Sequence, residues 1–172
     1  MQNVNVIDSN ASVIPKESRK ASIFSWLRFV ILLIVIYALL HYGMAFKIVS
    51  GHSMNPTLHN KGFMVVNKLY FKPERGDIVI VKDPNGFDIV KRIIGLPNDS
   101  ISIKNGIVFV NGKPINENYT EGKANDMKAV ALDNKSYFIM GDNRTPGESL
   151  DSRDPSIGPV SNDKIEGEVI LH

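Results

Sequence analysis

Two residues have the types and setting for a nucleophile and its base. Ser53 stands in the run Ser50-Gly51-His52-Ser53-Met54-Asn55-Pro56-Thr57-Leu58, a few residues after a long apolar segment, and a lone lysine, Lys91, lies in Asp88-Ile89-Val90-Lys91-Arg92-Ile93-Ile94. A serine hydroxyl is a poor nucleophile at neutral pH and needs an adjacent base; a lysine can be that base only where burial lowers its pKa. Strand alternation puts Ile89, Lys91 and Ile93 on one face and Val90, Arg92 and Ile94 on the other, so periodicity leaves open which basic residue is buried. Arginine keeps its proton at any working pH, so in this run Lys91 alone could serve as a base. Gly51 lets a substrate approach the backbone and Pro56 fixes the chain after Ser53, which suggests a shaped turn; the plainer alternative is a surface loop that contains a serine. A third segment, Met140-Gly141-Asp142-Asn143-Arg144 followed by Ser149-Leu150-Asp151-Ser152-Arg153, crowds polar side chains after an apolar run. By itself it reads as a solvated loop, or as a hydrogen-bonded buttress behind a site.

The elements that must position these residues follow from the pattern of the chain. With 172 residues, 43% hydrophobic and 22% charged, there is room for one globular domain plus an anchor. The first twenty or so residues are polar and without period, which suggests a tail. Phe29 to Phe46 forms an apolar stretch of about 18 residues, near the minimum for crossing roughly 30 Å of hydrocarbon, with Trp26 and Tyr42 as interfacial anchors. A cleavable signal peptide and a buried core helix are the competing readings. Lys16, Arg19, Lys20 and Arg28 before the stretch, against Asp8 and Glu17, predict a cytoplasmic N-terminus. The expected organisation is a cytoplasmic tail over 1–28, a transmembrane anchor over 29–46 and an extracytoplasmic domain over 47–172. An extended chain covers at most about 3.6 Å per residue, so Ser53 lies within roughly 25 Å of the end of the span.

Beyond Lys47, short apolar runs alternate with turns. Phe63 to Leu69, Asp77 to Val81, Phe87 to Ile94, Ser100 to Ile103, Ile107 to Val110, Ser136 to Met140 and Glu166 to Leu171 read as strands. Asn105-Gly106 and Asn111-Gly112 are tight-turn signals needing positive φ. The fold class is all-β, mostly antiparallel, with one N-terminal transmembrane helix. Within a small hairpin and loop subregion over 99–136, a hairpin-built section near residues 100 to 120 is expected to stand apart from the core, and the polar stretch 116–135 reads as loop.

Taken together, the three segments resemble the bacterial type I signal peptidases, membrane-bound serine proteases that remove signal peptides from exported proteins. The features that carry the resemblance are Ser53-Met54 with Pro56-Thr57-Leu58; Lys91-Arg92-Ile93-Ile94-Gly95 with Pro97 and Asp99; and Gly141-Asp142-Asn143-Arg144 with Ser149, Asp151, Ser152 and Arg153. The resemblance implies Ser53 as nucleophile, Lys91 as general base, the Ser53 N–H as an oxyanion donor and Ser149 as the residue that orients the lysine amine. Asp142, Asn143, Arg144, Asp151 and Arg153 would hold the site together. It also implies substrates with small residues one and three positions before the cut, bound as an added strand. Two departures stand out: Gly51, where some members have a serine that donates to the oxyanion, and Asn98, where glycine is usual. The short stretch from Asp99 to Ser136 and the single anchor are similar to the Gram-positive form.

Rival readings are a Ser/His/Asp hydrolase using His52 or His59, a self-cleaving regulator with a Ser/Lys site, and a membrane-tethered β module without catalysis. Zero cysteines exclude a thiol nucleophile and a zinc-thiolate site. A net charge of +2 without a basic stripe gives no reason to expect nucleic acid. The expected partners are preproteins and the lipid bilayer, and no cofactor or metal is called for.

Overall fold

A computed structural model of the chain describes residues 19–69 and 71–171. The first eighteen residues of the expected tail lie outside the described residues. The chain divides into two compact units, Met1–Ala38 and Leu39–His172.

The first unit holds most of helix α1, Arg19–Gly43. Its large apolar side chains from Ile23 to Tyr37, the half-buried Val30 excepted, are 42–67% exposed, all round the helix, which is the signature of a helix whose surroundings are apolar and not of an amphipathic one. Within it Ile23–Gly43, 21 residues of mean hydropathy 2.5, is long and apolar enough to cross a membrane. The helix ends three residues before the expected end of the apolar stretch. Met44–Phe46 belong instead to strand β1, Met44–Ile48, because their backbone pairs with the following strand β2, Phe63–Asn67. Hydropathy alone could not separate the two, since the residues stay apolar across the junction.

The second unit is built on two antiparallel sheets. The larger runs β1, β2, β11 (Ile165–Leu171), β3 (Ile78–Lys82), β4 (Asp88–Gly95), β9 (Ser136–Met140) and β10 (Val160–Ser161) in spatial order. The smaller runs β7 (Lys113–Pro114), β6 (Ile107–Val110), β5 (Ser100–Lys104) and β8 (Met127–Ala131). The expected strands are all present with ends shifted by at most two residues. Strand β8 was expected as loop: its sequence Met-Lys-Ala-Val-Ala buries little, and it is recruited by pairing with β5.

Ile78-Val79-Ile80-Val81 is buried throughout, because the large sheet is covered on both faces. Ile78 and Ile80 join a core with Met54, Leu58, Met64, Val66 and Val169, and Val79 and Val81 join another with Ile93, Ile139 and Val160. The hairpin subregion does not stand apart. Ile101, Ile103, Val108 and Val110 share a third core with Ile94, Phe138 and Met140 of the large sheet, since their apolar face has no other cover. Asn105 and Gly106, and Asn111 and Gly112, all take positive φ at the two hairpin turns, as their sequence predicts.

Candidate active site

Ser53 sits in the loop between β1 and β2. Met54 and Leu58, buried in the core beneath, anchor the loop, and Val49 and Gly62 close its base through the Val49 N–H to Gly62 carbonyl bond of 2.9 Å. Gly51 has φ +98° with open space around its Cα, so the backbone and not crowding excludes a side chain at the departure noted above. Asn98, the other departure, has φ +70°, a conformation that asparagine tolerates in place of glycine. The Asn55-Pro56 peptide bond is cis.

Lys91 comes from the middle of β4, opposite Val79 of β3, and is only 3% exposed. Its Nζ lies 2.7 Å from Ser53 Oγ. Burial drives its pKa from 10.5 down to about 8; Asp151 pulls it back up, Arg153 pushes it down and Asp142 raises it. Near pH 8 the amine is therefore neutral in about half of the molecules, and a neutral amine can accept the Ser53 proton. The question that periodicity left open is answered by burial: Lys91 is sealed in, whereas Arg92 is partly exposed and bonded elsewhere.

The third segment packs behind this pair. The buried Asp151 carboxylate accepts the Gly141 N–H at 2.9 Å, the Ser149 hydroxyl at 2.6 Å, and Arg153 Nε and Nη2 at 2.8 and 2.7 Å. Burial alone would raise its pKa, but the Arg153 hydrogen bond and charge, with Ser149 and Gly141, hold it below the usual value. Ser149 thus donates to Asp151, whereas the resemblance led us to expect it on the lysine amine. The Ser53 carbonyl accepts the Asn143 N–H at 3.0 Å, which ties the serine loop to this segment. Gly141 leaves no space for a side chain: a Cβ there would collide with the Ser149 side chain and the Ser53 carbonyl.

Asp142, fully buried, joins three elements. It accepts Thr57 Oγ1 of the serine loop at 2.5 Å and Arg92 Nε and Nη2 of β4 at 2.8 and 2.6 Å. Arg92 lies under the Tyr119 ring, 4.1 Å from Cζ to the centroid. The Tyr119 hydroxyl donates to Glu117 at 3.0 Å, and Glu117 pairs with Arg144, whose Nε donates to the Gly141 carbonyl at 2.8 Å. Thr57, Arg92, Glu117 and Tyr119 were not assigned from sequence. The available signal was weak: a glutamate and a tyrosine, two residues apart, inside a polar stretch read as loop.

A groove of about 400 Å³ leads to Ser53 and Lys91. Four consecutive residues, Lys47 to Ser50, line one wall and four more, Asp88 to Lys91, line the other. Consecutive residues point to opposite faces, so the groove runs along two strand edges and not over a sheet face. Both edges are open there: β1 ends its sheet, and β9 pairs only with the Arg92–Gly95 part of β4. Met54, Met64 and Ile80 form an apolar floor. The side chains of His52 and His59 are exposed and make no hydrogen bond to Ser53 among the described residues.

A family model described as signal peptidase, peptidase S26, matches residues 23–172. Signal peptidase I S of Bacillus subtilis (strain 168) is 36% identical over 168 residues, covering 87% of this chain and 88% of its own. Signal peptidase I of Bacillus amyloliquefaciens is 34% identical over 167 residues, covering 88% of each. Among solved structures, a signal peptidase I from Enterococcus faecalis V583 superposes with a TM-score of 0.51 at 28% identity, over 58% of this chain and 98% of that one. A family match that runs from α1 to the final residue, joined to curated relatives aligned over most of both chains, leaves one conclusion: the chain belongs to the signal peptidase family, peptidase S26.

Proposed function

We propose that the chain is a serine endopeptidase that removes signal peptides from exported preproteins, with Ser53 as nucleophile and Lys91 as general base. The observation that carries the assignment of residues is the 2.7 Å approach of a buried lysine amine to a serine hydroxyl, beside a groove with two open strand edges. A substrate strand pairs with those edges and brings its scissile carbonyl to Ser53. Neutral Lys91 Nζ takes the hydroxyl proton as Oγ bonds the carbonyl carbon, and the carbonyl electron pair moves onto its oxygen, which the Ser53 N–H stabilises. Collapse of this intermediate expels the amine of the mature chain, which takes the proton from Lys91. Water, giving its proton to Lys91, then attacks the acyl ester, and Ser53 Oγ leaves with that proton returned by Lys91, which frees the signal peptide and restores the hydroxyl and the neutral amine.

Asp142, Asn143, Arg144, Asp151 and Arg153 act as positioning residues, and Ser149 acts through Asp151. We place α1 across the cell membrane with the N-terminus cytoplasmic and the β domain outside, on the strength of the apolar 21-residue helix and the Arg19, Lys20 and Arg28 bias before it. A non-catalytic tethered module is disfavoured, because burying an amine beside a hydroxyl lowers stability and serves no binding role.

Cleavage of a preprotein in detergent, compared for the native chain, Ser53→Ala and Lys91→Ala at equal folded concentration, tests the reading. Loss of cleavage in both variants, with the native cut after a small residue, is the expected result. Cleavage that survives either change overturns it.

A further inference from the structure

The loop between β7 and β8 lies over the segment that backs Ser53. Glu121 pairs with Asn143 in the parallel sense: its N–H donates to the Asp142 carbonyl at 3.1 Å, and its carbonyl accepts the Arg144 N–H at 2.8 Å. Asp142 and Arg144 thus turn main-chain groups toward the loop, and Asn143, between them, turns its own the other way. The Asn143 N–H donates to the Ser53 carbonyl at 3.0 Å, and its Nδ2 donates to the His52 carbonyl at 3.4 Å. The loop is pinned at one end by Tyr119, whose ring covers the Arg92 guanidinium and whose hydroxyl is bonded to Glu117, the partner of Arg144. At the other end Gly122, with φ +73°, packs directly on Thr145: a Cβ there would collide with Thr145 Oγ1 and lie 2.9 Å from the Thr145 nitrogen.

The bond to His52 bears on the chemistry through the shape of a peptide group. The His52 carbonyl and the Ser53 N–H belong to one planar trans unit and point in opposite directions, so whatever fixes the carbonyl also aims the N–H. That N–H donates to no protein acceptor among the described residues, which leaves it for an oxyanion. Gly51 brings no hydroxyl to share the task, so the aim of the Ser53 N–H carries more weight. The Asn143 amide is itself oriented: its Oδ1 accepts the Thr145 N–H at 3.2 Å, which turns Nδ2 toward His52. Thr145 is the residue on which Gly122 packs. Contacts therefore run without a break from the loop through Thr145 and Asn143 to the His52–Ser53 peptide.

We propose that Tyr119 and Gly122 are positioning residues for the reaction: the loop they hold down fixes the Asn143 amide, which aims the Ser53 N–H at the oxyanion. The inference rests on the reading of Ser53 and Lys91 as the catalytic pair. No residue of this loop lines the groove beside Ser53. Its effect therefore falls on the transition state, where negative charge develops on the carbonyl oxygen, and not on the binding of the substrate strand.

The full chain, Gly122→Ala, Tyr119→Leu and Tyr119→Phe are compared in detergent at equal folded concentration. The readouts are kcat and KM for a preprotein-derived peptide, and the Ki of two peptides that match the sequence before the cut, one ending in alanine aldehyde and the other in the corresponding alcohol. Ser53 Oγ adds to the aldehyde carbon, Lys91 takes the hydroxyl proton, and the aldehyde oxygen comes to the oxyanion position; the alcohol has no carbonyl and reads ground-state binding. In Gly122→Ala and Tyr119→Leu, kcat is expected to fall about tenfold to a hundredfold, part of the roughly hundredfold or more that losing one oxyanion donor costs. The aldehyde Ki is expected to rise by the same factor, with KM and the alcohol Ki unmoved. Tyr119→Phe keeps the ring over Arg92 and is expected to recover most of the loss seen in Tyr119→Leu. Native kcat in the folded variants overturns the proposal, and so does a loss of kcat that the aldehyde does not share or that the alcohol shares equally. Should Gly122→Ala fail to fold, Tyr119→Leu decides by the same criteria. A Ser53→Ala control separates the two readings. Cleavage persisting there defeats the catalytic assignment itself, whereas Ser53-dependent cleavage with these constants unmoved defeats only the role of the loop.

Discussion

Replacing Lys91 by methionine should stabilise the protein and abolish its activity together. The native amine is buried, and its pKa falls from 10.5 to about 8. That difference corresponds to about 3 kcal/mol of folding free energy, since one pKa unit is about 1.4 kcal/mol. The sign follows from proton counting. Below pH 8 the amine is protonated in both states and the folded chain bears the full penalty. Between pH 8 and 10.5 the unfolded chain still holds the proton and the folded chain does not, so native stability rises with pH; above 10.5 the penalty is gone. Methionine has a similar length and no charge to bury, but the contact with Ser53 Oγ is lost, at a cost of about 1 kcal/mol. The variant should be more stable than the native chain by about 2 kcal/mol at pH 7, and this advantage should shrink through pH 8 to 10 and turn into a small deficit above it. Denaturant unfolding of the full chain in detergent, at several pH values, measures the difference. A native stability that is flat from pH 7 to 10, or a methionine variant less stable at pH 7, would refute the claim that burial lowers the Lys91 pKa.

Two further substitutions test the scaffold behind the pair. Gly141→Ala places a methyl group where the Ser53 carbonyl and Ser149 already lie, so the loop must move; kcat/KM should fall by about a hundredfold, the scale of a misplacement of about 1 Å, while far-UV circular dichroism stays native. A native rate in this variant contradicts the packing described. Asp142→Ala removes the carboxylate shared by Thr57 and Arg92 and leaves the guanidinium without its carboxylate partner, held by the Gly76 carbonyl, the Thr57 hydroxyl and the Tyr119 ring. The expected loss is about 3 to 5 kcal/mol, as for one half of a buried pair, read as a lower denaturation midpoint; a loss under about 1 kcal/mol would show that the joint is dispensable.

What could be read from the sequence, and what could not, divides by the range of the forces involved. The Asn-Gly turns, the strand Ile107–Val110 and the apolar helix are set by local preferences and by neighbours a few residues away, so their residues declare them. The start of β1 is hidden because Met44–Phe46 are as apolar as the helix before them; only pairing with β2 makes them strand. Strand β8 is likewise made by its partner β5 and not by its own residues. At the site, the motifs around Ser53, Lys91 and Asp142 were legible, whereas their joints were not. Arg92 beneath Tyr119, and Glu117 holding Arg144, are contacts between residues 27 positions apart in each case, set by the loop between β7 and β8, which is bridged through Glu121 to Asn143. The departures at Gly51 and Asn98 become intelligible only with the backbone angles in hand.

The most direct test of the account is the pH dependence of kcat/KM for preprotein cleavage by the native chain. A buried lysine base predicts a limb that rises about tenfold per pH unit and levels off with an apparent pKa of about 8. A limb near pH 6.5, the ordinary value for histidine, would contradict it and move the base to His52 or His59.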